Sequence, residues 1–140
     1  MTNAVKRFSG LLVAALMITS VGFAKDAEER IIEKSREAVE KAGPHDWETY
    51  AESAEKCIRK NVNVEEALEW LDKSIEINPN KDNLTLKGDY YLNKKFPVEA
   101  MECYLKAAEI IYGETNRTTK ELEDVQAKIR KALDLKQQGY

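Results

Sequence analysis

VEEALEWLDKSIEINPN, residues 64–80, reads as one helix with its own full stop. Glu65 and Glu66 come early and Lys73 late, the charge order that suits a helix dipole. Ala67, Leu71 and Ser74 fall at steps of four and three, which places them on one side of a helix. Asn78-Pro79-Asn80 then stops it, because proline cannot continue the backbone pattern. Working outward, the other breakers divide the chain in the same way. Gly43-Pro44 and Asn61-Val62-Asn63 lie before this stretch, and the expected helices are 26–42, 46–60, 64–77, 82–95, 97–112 and 118–137. Three prolines and six glycines in 140 residues are too few for the turns of a many-stranded sandwich or barrel. With 34% charged and 43% hydrophobic residues, the composition is that of long amphipathic helices, and the expected class is all-α.

Six helices of hairpin length in a row prompt a search for repeats. The clearest copy runs Leu84, Lys87, Gly88, Tyr91, then Ala100, Tyr104, Ala107. The preceding copy runs Tyr50, Ser53, Ala54, Cys57, then Ala67, Leu71, Ser74 and Pro79, with one residue inserted in the turn between its helices. These spacings resemble the tetratricopeptide repeat, over about residues 47–112, with best-matched units 47–80 and 82–112. Lys87 departs from the usual leucine, and Tyr112 stands where the pattern has proline. The resemblance implies antiparallel hairpins stacked as a short α-solenoid, with Ala54, Ala67, Gly88, Tyr91, Ala100 and Tyr104 as packing positions. Gly88 and Ala100 would mark a close helix crossing with Tyr91 and Tyr104 filling either side, so that Gly88→Leu would be disruptive and Gly88→Ala mild by comparison. The final helix, 118–137, is expected to act as a cap, with Leu122, Val125, Ile129 and Leu133 on its apolar face.

The first 24 residues have the layout of a secretory signal peptide. Lys6 and Arg7 precede an apolar stretch from about Leu11, and Gly22 and Ala24 are the small residues that precede a cut, expected before Lys25. The mature chain would then be a single domain, 25–140, secreted or periplasmic, with no membrane span. An uncleaved anchor is the alternative, since Phe8 to Ala24 is about the shortest length that crosses a bilayer. Setting Lys6 and Arg7 aside leaves 20 basic residues against 25 acidic ones, a formal charge of −5. Nucleic acid is a poor partner for such a chain, which has no basic stripe. Cys57 and Cys103 sit within helices of different hairpins and read as small buried hydrophobes rather than as a bridge.

Chemistry is sparse. His45 is the only histidine and stands in the Gly-Pro-His-Asp turn, which excludes the usual zinc clusters, so no metal and no cofactor is expected. Asp46 is the expected N-cap of the helix beginning at Trp47. No phosphate loop, nucleophile elbow or Ser-x-x-Lys pattern occurs in a supporting context, and the acidic runs are interspersed with Lys and Arg, so the chain is not expected to be an enzyme. Asn83-Leu-Thr85 and Asn116-Arg-Thr118 match the glycan acceptor pattern, a weak three-residue signal.

What remains is surface. In tetratricopeptide proteins the first helices of successive hairpins line a concave face that takes a peptide or a partner helix. Carried onto this chain, the resemblance implies a partner-binding groove of Glu55, Ile58 and Arg59, beside Ala51, and of Thr85, Asp89, Leu92 and Asn93. The expected function is thus a non-catalytic protein-binding adaptor, with a self-assembling envelope protein, such as a homodimer, as the alternative. Arg59 and Asp89 are expected to face solvent and to be replaceable without loss of stability, and Lys128 and Lys131 are expected on the outer face of the last helix.

Overall fold

The computed structural model describes residues 25–140, so the signal-peptide expectation for residues 1–24 and its cleavage point lie outside the described residues. The described chain is all-helical. Helix α1 is described over 25–41, and it is followed by α2 (Trp47–Lys60), α3 (Val64–Ile77), α4 (Lys81–Asn93), α5 (Pro97–Thr115) and α6 (Lys120–Gln137). The ends are set locally. Asp46 caps α2, its Oδ1 accepting from the Thr49 N–H at 3.1 Å and its Oδ2 from the Thr49 hydroxyl at 2.7 Å. Two left-handed asparagines, Asn61 (φ 53) and Asn63 (φ 47), turn the chain from α2 into α3, a conformation that asparagine tolerates better than most residues. Val62 tucks under that turn and is buried. Lys95 at φ 63 ends the fourth helix sooner than the sequence suggests, and Pro97 opens the fifth at a position where its missing N–H costs nothing. With no proline at Tyr112, α5 runs on to Thr115 and stops at left-handed Asn116.

Short turns fold each helix back on its predecessor, and the close pairs are α2 with α3, α4 with α5, and α5 with α6. Two cores result. The first gathers Ala54, Cys57, Val62, Ala67, Trp70 and Leu71, with Ile31, Ile32 and Val39 of α1 packed against it. The second gathers Leu84, Leu92, Ala100, Tyr104, Ala107, Ile111, Leu122, Val125 and Ala132. Ile75 packs against both. Arg36 of α1 and Glu66 of α3 form an ion pair at 2.7 Å, which holds the Glu66 carboxyl below its ordinary value.

Several expectations are corrected here. On α6 the core-facing residue is Ala132, fully buried, while Leu133 is 41% exposed, because the buried stripe turns one residue earlier than an even helical pattern suggests. Gly88 does lie at a close crossing, and Tyr104 packs directly over it: an ideal Cβ there would stand 2.5 Å from Tyr104 Cε1, so that even alanine, though smaller than leucine, presses on the ring. Asn83 is no open glycan acceptor. It is buried, its Nδ2 donates to Ser74 Oγ at 3.1 Å and to the Asn78 carbonyl at 2.9 Å, and its Oδ1 accepts from the Asn80 N–H at 3.0 Å. In keeping with expectation, Cys57 and Cys103 are both buried and not disulfide-linked, and burial pushes the Cys103 thiol up. No described helix is long and apolar enough to cross a membrane.

Candidate functional site

Helices α2 and α4 touch only lightly, and the space between them is a groove rather than a packed seam. Three adjoining depressions make it up, of about 270, 360 and 280 Å3. Leu86 lines all three and is only partly buried, so its side chain is the apolar centre of the floor. The sequence pattern did not single it out, because Leu86 is not one of the repeat's packing positions.

The residues expected in the groove fall as follows. Glu55, Arg59, Thr85 and Asp89 line the depression that α6 closes. Ile58, Arg59, Asp89 and Asn93 line the depression at the C-terminal ends of α2 and α4, beside Tyr90 and Lys94. Ala51 lines the one near the helix starts, with Trp47 and Asp82. Leu92 is not in the groove. It is buried in the second core, since its place on α4 turns it toward the packed side of the helix. Of the packing positions, Ala54, Ala67, Ala100 and Tyr104 have no exposed surface, Gly88 is buried, and Tyr91 is half-buried against the second core.

Asp89 is not a free surface charge. Its carboxylate accepts from the Tyr104 hydroxyl at 2.7 Å and from Lys128 Nζ at 2.5 and 2.6 Å, and so ties α4 to both α5 and α6. Lys128 also stands 5.7 Å from the Tyr104 ring centroid. Lys128 therefore faces the groove and not the outer side of α6, and only Lys131 of that expected pair is an exposed residue outside it. Burial, and then the Asp89 carboxylate, raises the Tyr104 phenol well above its ordinary value. The phenol is a fixed donor and no acid at neutral pH.

Electrostatically the groove leans acidic. Arg59 is paired with Glu55 at 2.6 Å, Lys81 with Glu121 at 2.7 Å, and Lys128 with Asp89. Asp82 and Asp124 line the same depression and make no ion pair among the described residues. Toward the helix starts the lining adds Glu48 and Glu52 and no basic residue. A groove with an apolar floor and unneutralised carboxylates can hold an extended chain or helix that carries apolar anchors and basic side chains. Among the described residues no cluster of His, Cys, Asp and Glu could hold a metal ion. No family model matches the chain, and neither the curated proteins nor the solved structures give a significant match.

Proposed function

We propose that this is an exported, non-catalytic interaction protein of tetratricopeptide-like hairpins, which holds a peptide or helix of a partner protein in the α2–α4 groove. The segment it takes carries basic residues beside apolar ones. One observation carries this reading: the groove joins the partly buried Leu86 to Asp82 and Asp124, carboxylates without an ion-pair partner among the described residues. With Arg59, Lys81 and Lys128 each paired, the excess of carboxylates over Lys94, the one lining cation without an ion pair among the described residues, leaves the lining net acidic, which favours a basic partner over an acidic one. Selection from a random peptide library on the immobilised protein tests it. Peptides with Lys or Arg near an apolar residue should be enriched, and the variant Asp82→Lys/Asp124→Lys should lose them. An enrichment of acidic peptides, or equal capture by the variant, would end the proposal.

Self-assembly is a second reading with an observation of its own. Val98, Leu105 and Tyr112 are 42%, 52% and 52% exposed and recur every seven residues on α5, the spacing at which one helix offers an apolar seam to another. Light scattering on the purified protein tests it, with a dimer that Leu105→Glu converts to monomer as the supporting result and a monomeric wild type as the opposing one.

A further inference from the structure

A second cavity, between α1 and α2, lies apart from the groove floor and has the opposite charge. Its volume is about 370 Å3, within the range of roughly 300–1,000 Å3 in which small-molecule sites fall. Small residues create it: Ser35 and Ala38 on α1 and Ser53 on α2 leave space that larger side chains would fill. Ile31 and the stems of the surrounding long side chains complete walls that are almost wholly carbon. Four cations line it, Lys34, Lys56, Arg59 and Lys60, and no carboxylate does. Two of these are engaged nearby, Lys56 with Glu52 at 3.4 Å and Arg59 with Glu55 at 2.6 Å. Lys34 and Lys60 make no ion pair among the described residues.

From this arrangement we infer that the α1–α2 cavity binds a free fatty carboxylate, its single alkyl chain in the slot and its head on Lys34 and Lys60. The apolar walls supply the attraction for the chain, since removing alkyl surface from water is favourable in proportion to area. The cations supply the sign of the head group, through charge-assisted hydrogen bonds to a carboxylate. An uncharged alkyl chain would gain the first contribution only, and a cationic amphiphile would meet repulsion. This site is independent of the α2–α4 groove: the two share Arg59 at their boundary, and the peptide reading can fail without touching the argument for the cavity.

Calorimetric titration decides it, on the full chain expressed with its N-terminal segment and recovered as the cell processes it. Dodecanoate should bind at one site, and dodecyltrimethylammonium, which has the same tail and the opposite head, about tenfold more weakly or worse. Lys34→Glu/Lys60→Glu should reverse that preference, and added salt should weaken dodecanoate alone. Ala38→Trp should fill the slot and abolish both, with an unchanged helical circular dichroism spectrum showing that the fold survives; if it does not fold, the charge-reversed variant still decides. No binding of dodecanoate, or equal binding by wild type and the charge-reversed variant, overturns the inference. So does a dimer that Ala38→Trp disrupts and dodecanoate does not, since a second copy would then occupy the slot.

Discussion

An added Cβ on Gly88 would meet Tyr104 Cε1 at 2.5 Å and Cδ1 at 2.7 Å, and the Tyr104 ring has nowhere to go, being fully buried and held at its hydroxyl by Asp89. Alanine gains about 1 kcal/mol of helix propensity over glycine, whereas overpacking costs about 1–3 kcal/mol. The second effect wins, so thermal midpoints should fall in the order wild type, Gly88→Ala, Gly88→Leu; an alanine variant more stable than the wild type would show a looser crossing. Asp89→Ala leaves a buried hydroxyl and a half-buried ammonium without their acceptor. It should cost about 1–3 kcal/mol in a denaturant titration, beyond the ±0.5 kcal/mol or so of a surface change. A double-mutant cycle with Tyr104→Phe should show the two losses to be non-additive. Alkaline pH gives a third check. Because the folded phenol has a raised pKa, the unfolded chain releases its proton above about pH 10 while the folded chain keeps it. Stability contributed by Tyr104 is therefore present below that pH and lost above it, and Tyr104→Phe should show a shallower alkaline decline in urea midpoints. The sequence placed Gly88 and Tyr104 near one another through the repeat pattern. It could not show that Asp89 bonds to Tyr104, because that bond depends on side-chain reach between residues 15 apart on neighbouring helices.

At the level of elements, most of the structure was legible because breakers and caps are local. Gly43-Pro44, Asp46, the paired asparagines around Val62 and Asn78-Pro79-Asn80 each act within a few residues, and the helices begin and end beside them. What was not legible required a partner element. The register of α6 depends on how it meets α4 and α5, and that contact chose Ala132 over Leu133. Likewise Asn83 belongs to a cap: Asn80 and Asn83 bond reciprocally at the start of α4 while Asn83 reaches back to Ser74 on α3. Asn83→Ala removes half of that box and leaves buried groups unmatched. We expect a loss of about 1–3 kcal/mol, measured as a shift of the urea midpoint, with Asn83→Asp intermediate because it keeps the acceptor but not the donor. Asn83→Ala with wild-type stability would mean that the cap contributes nothing to the α3–α4 connection.

Across the whole molecule, two cores meet at Ile75 and along the thin α3–α4 seam, reinforced by the ion pair of Lys87 with Asp72. That spacing leaves the α2–α4 groove open, with one wall from each core. Glu55, Ile58, Arg59, Thr85 and Asn93, which the resemblance grouped together, do line one groove; the acidity of that groove was not legible, because it emerges only after the ion pairs are assigned across α4 and α6. Partner binding in this groove is the claim on which the functional account rests. Its most direct test is nuclear magnetic resonance of the isotope-labelled protein titrated with the basic peptide most enriched in selection. The account predicts amide shifts confined to the groove, strongest at Ala51, Glu55, Asp82 and Leu86, and absent along Val98, Leu105 and Tyr112. Shifts that follow the outer face of α5 and leave Leu86 unchanged would contradict it.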